Sequence, residues 1–232
     1  MPTALVLRHH LEDEPGRIGR ALEARGYAVT LELVDPHWTP PDLAGVTALV
    51  ILGSSAAVYD PLIRARWLER ELDLIATADR GGIAILGICF GAQALCTYAG
   101  GCVERAAVPE LGWISIEPTP GSPIEAGPWF AYHEDACIPP PEAEVLATSP
   151  YAVQAFRLGR HLGVQFHPEV DAAQLAAWFG ADSSAGRAGA RAPEFIAQAI
   201  EHDALARQRA EVLVDTFLAG ARLTPSTGGV SR

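Results

Sequence analysis

Short apolar runs alternate with longer amphipathic stretches through the first hundred residues of the chain. Runs of branched aliphatic side chains predict buried strands over residues 4–7, 29–34, 49–52 and 83–86. Apolar residues at helical spacing predict helices over residues 15–25, from Pro61 onward and over residues 91–98. Strands that alternate with helices in this way predict a mostly parallel central sheet with helices on both faces, a three-layer α/β architecture.

The second half of the chain has a different pattern. Between residues 102 and 164 the segments are short and separated by proline and glycine. Strands such as residues 112–117 and 161–166 predict a small antiparallel extension and a return to the central sheet. Residues 180–189 are rich in small residues and predict a connector. Residues 193–218 predict one or two amphipathic helices with apolar anchors at Phe195, Ile196, Ile200, Val212, Leu213 and Phe217. We therefore expect a main domain over residues 1–180, a helical extension packed on it over residues 181–224, and a disordered tail over residues 225–232.

Composition narrows the classes of function. All 17 basic residues are arginine, and the absence of lysine excludes a P-loop lysine and a Schiff-base lysine, hence a pyridoxal-phosphate enzyme. The formal net charge of −11 argues against nucleic acid or an anionic membrane surface as a partner. The N-terminal segment has no signal-peptide pattern, and no apolar run approaches the roughly 18 residues of a spanning helix, so we expect a cytoplasmic protein.

Nothing in the sequence predicts a metal or a cofactor. The four cysteines, Cys89, Cys96, Cys102 and Cys137, show no paired spacing, and we expect free thiols, the last three of them in the core. His9 and His10 are adjacent, and neighbouring residues on a strand face opposite ways, which disfavours a shared metal ion.

One heptapeptide at a predicted strand-to-helix junction has the pattern of a nucleophile elbow. It reads Gly87-Ile88-Cys89-Phe90-Gly91-Ala92-Gln93. Glycines two residues before and two after the cysteine leave room for a tight turn that exposes its sulfur. The new helix directs its free N–H groups toward that sulfur, and the N–H of Phe90 is placed to donate to an oxyanion. The alternative interpretation is a glycine-bracketed cysteine that is simply buried.

A second motif supplies the groups that a cysteine nucleophile needs. His167-Pro168-Glu169 follows another predicted strand. His167 can transfer the proton while Glu169 orients and stabilises its imidazole. Alone, the motif fits a surface turn with a hydrogen-bonded histidine better, but together the two motifs predict a catalytic triad.

These two motifs resemble those of the class I, or triad, glutamine amidotransferases. The resemblance covers about residues 1–180 and is strongest for stand-alone proteins similar to the amidotransferase domain of GMP synthase. Tyr132-His133-Glu134-Asp135 and Leu111-Gly112-Trp113 resemble that subgroup as well. The family likeness implies a flavodoxin-like fold and a glutamine site near Tyr132 and His133. It also implies that Gln93 helps to hold the substrate or the elbow, although a helix-surface amide is an open alternative.

The resemblance further implies a mechanism and a partner. Cys89 attacks the side-chain amide of glutamine, a backbone N–H at Gly53–Ser54 joins that of Phe90 in the oxyanion hole, and water hydrolyses the thioester. Most family members have Gly-Gly-Pro where this chain has Gly53-Ser54-Ser55, which restricts the backbone there. A separate synthetase is expected to use the ammonia and to raise turnover when it docks.

Two other functions stay open from the sequence. A γ-glutamyl peptidase or hydrolase would use the same triad to release an amine other than ammonia. A catalytically idle, regulatory member of the family would act through binding, and the changed residues after Gly53 keep that interpretation open.

Overall fold

The computed structural model of the chain describes residues 1–180 and 189–221. Its strands are β1 (Thr3–Arg8), β2 (Ala28–Leu33), β3 (Val46–Ile51), β4 (Ala84–Ile88), β5 (Cys102–Pro118), β6 (Gly127–Ile138), β7 (Glu144–Thr148), β8 (Val153–Leu158) and β9 (His161–Val164). Its helices are α1 (Gly16–Ala24), α2 (Pro61–Ile63), α3 (Glu69–Arg80), α4 (Phe90–Tyr98), α5 (Ala172–Gly180), α6 (Ala192–Glu201) and α7 (Asp203–Ala221). A π-helical turn, Arg64–Leu68, joins α2 to α3.

All nine strands of the described residues form one mixed sheet in the order β2-β1-β3-β4-β9-β8-β7-β5-β6. The first five strands in this order pair in parallel and the remaining pairings are antiparallel. Because β3, β4 and β9 are parallel neighbours, the segments that follow their carboxyl ends lie together at one edge of the sheet. The loop from Gly53, the residues from Cys89 and the segment that ends in Glu169 all begin there.

The two faces of the sheet carry separate apolar layers, because successive side chains of a strand point to opposite faces. Val6 packs in a cluster with α1 and α7, whereas Leu5 and Leu7 pack in a second cluster with α3 and α4. A third cluster joins α5 and α6 to Phe130 of β6. Helices therefore cover both faces of the sheet.

The structure differs from the sequence predictions at three places. The helix predicted from Pro61 is interrupted by the π-turn at Arg64–Leu68. The short segments predicted after residue 102 are wrong for β5, which runs for 17 residues with a register shift between Arg105 and Glu110, next to Pro109. Of the predicted anchors, Ile200 is 66% exposed, because α6 faces the core through Phe195 and Ala199.

Parts of two predictions lie outside the described residues. These are the connector, apart from its ends, and the tail beyond residue 224. Within residues 1–180 and 189–221, no helix is long and apolar enough to cross a membrane.

Candidate active site

Cys89 occupies a strained turn between β4 and α4. Its φ of +52° makes it the one non-glycine residue with positive φ in the described part of the chain, and such strain is common at functional sites. A methyl group on Gly87 would lie 2.4 Å from the Gly91 carbonyl oxygen, and one on Gly91 would lie 2.2 Å from that of Ile51. Both flanking glycines are therefore required by close backbone packing, not only by the turn itself.

The Cys89 side chain is buried but faces polar groups. The backbone N–H of Cys89 donates to the Val164 carbonyl at 2.8 Å, which links the turn to β9. Its sulfur lies 3.8 Å from the Tyr132 carbonyl oxygen on β6. Phe90 is the first residue of α4, and its N–H donates to no acceptor among the described residues, as expected for the first turn of a helix.

His167 and Glu169 form a buried hydrogen-bonded pair after β9. Nδ1 of His167 lies 2.7 Å from Oε1 of Glu169, and the His167 N–H donates to the Phe130 carbonyl at 2.7 Å. Burial alone would lower the pKa of His167, but the charges of Glu169 and Cys89 raise that pKa well above its usual value. The second ring nitrogen, Nε2, is buried and has no hydrogen-bond partner among residues 1–180 and 189–221. The pair can therefore hold a proton beside Cys89.

Gly53 lies against both Cys89 and His167. A methyl group in place of its hydrogen would be 3.0 Å from Cε1 of His167 and 3.8 Å from Cβ of Cys89. The Gly53 carbonyl oxygen is 2.9 Å from Nδ1 of His9. The Ser54 N–H, on the same peptide, donates to no acceptor within the described residues.

The three residues expected to contact substrate lie in different environments. Tyr132 is partly exposed, and its ring centroid is 5.4 Å from that of Phe179. His133 is buried, with Nδ1 3.0 Å from the Asp135 carbonyl oxygen and Nε2 3.3 Å from Oε2 of Glu110. Gln93 is buried too, so the alternative of a helix-surface amide is wrong.

The Gln93 amide contacts the segment that leads to His167. Its Nε2 lies 3.5 Å from Oε1 of Gln165, the residue two positions before His167. That contact links α4 to the segment after β9. The roles of Gln93, Tyr132 and His133 toward glutamine stay predictions.

None of the other three cysteines lies on this turn. Cys96 and Cys137 are buried, but Cys102 is exposed, so its assignment to the core was wrong. The reason is its position at the start of the ribbon β5–β6, where its side chain faces outward. No cluster of His, Cys, Asp or Glu in the described ranges could hold a metal ion.

His9 and Glu71 were not predicted as site residues, yet His9 contacts the Gly53 carbonyl and Glu71 contacts His9. Nε2 of His9 is 3.0 Å from Oε2 of Glu71, and both side chains are buried. The sequence carries one signal: Glu71 lies on the apolar face of α3, in register with Trp67 and Ile75. A carboxylate at such a position needs a buried partner.

Comparison with known proteins agrees with this geometry. A family model described as glutamine amidotransferase class-I matches residues 16–177. A glutamine-hydrolysing GMP synthase from Aeropyrum pernix is 38% identical over 112 residues, which are 45% of this chain and 22% of that protein. One from Brucella melitensis is 38% identical over 101 residues, 38% of this chain and 20% of that protein. The matched part is thus about a fifth of the length of these relatives.

Solved structures show the same fold. A glutamine amidotransferase from Thermotoga maritima superposes with a TM-score of 0.85 at 22% identity, covering 94% of this chain and 98% of that one. A glutamine amidotransferase from Methylobacillus flagellatus has a TM-score of 0.78 at 20% identity, covering 99% of both chains. The predicted three-layer, flavodoxin-like fold is confirmed.

Proposed function

The chain belongs to the class I glutamine amidotransferase family, and from this premise we propose that it hydrolyses the side-chain amide of glutamine through Cys89, His167 and Glu169. The observation that carries the proposal is the meeting of three chain segments at one sheet edge. A strained cysteine at a helix N-terminus, a buried histidine–carboxylate pair, and Gly53 in contact with both are adjacent there. This combination fits acyl transfer.

The first half of the reaction forms an acyl-enzyme. The Cys89 sulfur attacks the amide carbon, and its thiol proton passes to His167. The negative charge that develops on the amide oxygen is stabilised by the N–H groups of Phe90 and Ser54, neither of which has an acceptor in the described part of the chain. His167 then protonates the nitrogen, the carbon–nitrogen bond breaks, and ammonia leaves.

The second half releases glutamate. Water attacks the γ-glutamyl thioester and gives a proton to His167, and the carbon–sulfur bond breaks. Glu169 accepts the hydrogen bond from Nδ1 throughout and stabilises the imidazolium. Its hydrogen bond to Nδ1 leaves Nε2 as the nitrogen that exchanges protons with sulfur, substrate and water.

Glutamate release from glutamine by the purified chain tests this proposal. Wild-type protein should release glutamate and ammonia in equal amounts, and Cys89→Ser should be nearly inactive because serine is not readily ionised at this site. A panel of γ-glutamyl amides in the same assay separates the two acyl-transfer functions. Faster turnover of larger amides than of glutamine would favour a γ-glutamyl hydrolase, and no turnover of any of them would contradict both.

We further propose that a separate synthetase uses the ammonia. The support is that the curated relatives are named GMP synthase and that the matched part of this chain covers only about a fifth of their length. Glutamine hydrolysis by the isolated chain should then be slow and should rise when that synthetase is added. Turnover at ordinary enzyme rates, of roughly 10 per second, without any added protein would contradict partner dependence.

A further inference from the structure

A buried ion pair lies directly behind the Gly53 loop. His9 follows β1 and Glu71 lies on α3, and their side chains are 2% and 0% exposed. The imidazole ring packs against both Trp67 and Phe90, with ring centroids 4.9 Å away in each case. Oε1 of Glu71 is buried without a partner in the described ranges. Because desolvation offsets the attraction between buried charges, such a pair is a poor source of stability.

The contacts of His9 define its protonation. A carbonyl oxygen can only accept, so Nδ1 carries the hydrogen that is donated to Gly53. Nε2 faces the Glu71 carboxylate at 3.0 Å. Burial alone would lower the pKa of His9, but the charge and hydrogen bond of Glu71, the Gly53 carbonyl and the charge of Asp13 together raise that pKa above its usual value. The ring is therefore an imidazolium that donates from both nitrogens.

The hydrogen bond to Gly53 sets the direction of the next peptide group. Across a trans peptide the carbonyl and the N–H point opposite ways. With the Gly53 oxygen turned to His9, the Ser54 N–H points away from His9. Gly53 itself touches Cys89 and His167, so this N–H belongs to the wall of the candidate active site.

We propose that His9 and Glu71 act as a positioning pair that keeps the Gly53–Ser54 peptide oriented for the oxyanion and polarises it. A charged donor on the carbonyl draws electrons from the amide and strengthens its N–H as a donor, because hydrogen bonds in series reinforce one another. The same ring packs against Phe90, the other donor. The inference rests on the proposed function, and it assigns to His9 a role that acts through the backbone.

Three variants separate the orientation of the Gly53–Ser54 peptide from the effect of the charge on His9. His9→Asn can keep an N–H near the position of Nδ1, but it lacks the charge. His9→Leu removes both the hydrogen bond and the charge. Glu71→Gln keeps a hydrogen-bonding partner for Nε2 and removes the carboxylate. We expect kcat to fall least for Glu71→Gln and His9→Asn and by about 10²–10³-fold for His9→Leu, the loss typical of one oxyanion donor. KM should change little, since the effect is confined to the transition state.

Two reagents distinguish an oxyanion effect from general damage to the site. p-Nitrophenyl acetate acetylates a thiolate through a tetrahedral oxyanion, with loss of p-nitrophenolate, and needs no glutamine recognition. Iodoacetamide alkylates the same sulfur by displacement of iodide, without an oxyanion. In His9→Leu the acetylation rate of Cys89 should fall about as far as kcat, while its alkylation rate stays within about threefold of wild type.

The matched control is a second histidine–carboxylate pair, in which His161 is buried and the Asp79 side chain is 39% exposed. Nε2 of His161 is 2.9 Å from Asp79, and Nδ1 accepts from the Ile85 N–H near the start of β4, at the other end of the strand from Cys89. His161→Asn should leave both reagent rates unchanged. The double variant His9→Leu/Glu71→Leu should melt no lower than His9→Leu, because it removes the unpaired carboxylate, yet it should acetylate equally slowly.

Acetylation of His9→Leu and of the double variant at the wild-type rate would overturn the inference. A parallel loss of alkylation and acetylation would do so too, because the pair would then only maintain the site. If wild-type protein hydrolyses no γ-glutamyl amide but its acetylation depends on His9 as described, the proposed function fails and the positioning pair stands.

Discussion

At the scale of single residues, the proposed reaction gives His167 and Glu169 different roles: His167 transfers the proton and Glu169 orients its ring. Glu169 contacts Nδ1 and not the reacting atoms, so its loss should cost less than loss of the base. We expect Glu169→Gln to retain more kcat than His167→Ala, because a neutral amide oxygen can still accept from Nδ1 and hold the ring. Steady-state glutamate release measures both. Normal turnover of Glu169→Ala would replace the triad by a cysteine–histidine dyad.

The same scale shows what the sequence could and could not predict. Cys89, His167 and Glu169 stand in short motifs, so local spacing alone indicates their chemistry. His9 and Glu71 are 62 positions apart and carry no motif. Their hydrogen bond depends on β1 and α3 being adjacent, which periodicity indicates only in general terms. The exposure of Cys102 likewise depends on the register of β5, which the proline-rich pattern obscured.

At the scale of elements, the packing of α4 on β3 explains why the elbow cannot accept a side chain. A methyl group on Gly91 would lie 2.2 Å from the Ile51 carbonyl oxygen, a rigid backbone atom at the end of β3. We expect Gly91→Ala to lower the free energy of unfolding by about 3 kcal/mol or more and to abolish activity. Urea unfolding and the glutamate assay measure these effects.

Gly100, in the turn after α4, is the control for that variant. Its φ is +83° and a methyl group there would meet nothing within 4 Å. Gly100→Ala should cost about 1–2 kcal/mol from the left-handed backbone alone and should keep activity. Equal losses in the two variants would mean that the close contact at Gly91 has no special importance.

Helices and strands were predictable where the apolar pattern fits only one kind of element. Apolar runs located β1, β3 and β4 because these strands are central and largely buried on both faces. The π-turn was not predictable, since Trp67 and Leu68 are buried in either kind of helix and the periodicity barely changes over one turn. This turn places Trp67 on the His9 ring, so the unpredicted irregularity lies beside the site.

At the scale of the whole molecule, two of the buried histidines, His9 and His167, should make stability depend on pH. Both His9 and His167 have a raised pKa in the folded chain, from an ordinary value of 6.5. Above that value the unfolded chain releases these protons while the folded chain keeps them. The free energy of unfolding should therefore fall as the pH rises above about 6.5, by up to ~1.4 kcal/mol per pH unit for each histidine.

Urea unfolding across that pH range checks the expected slope. In His9→Gln the free energy of unfolding should decrease less steeply with rising pH. His161→Gln should leave the slope unchanged, because burial lowers the pKa of His161 and its contribution falls below pH 6.5. A wild-type slope of zero or of the opposite sign would contradict the charge states assigned to His9 and His167.

The molecule contains four cysteines, and only Cys89 is expected to be a nucleophile. The most direct test is covalent labelling by a diazo-ketone analogue of glutamine, followed by peptide mapping. We predict that Cys89 is labelled first, ahead of the exposed thiol of Cys102, and that glutamine protects it. Labelling of Cys96, Cys102 or Cys137 before Cys89 would contradict the central claim.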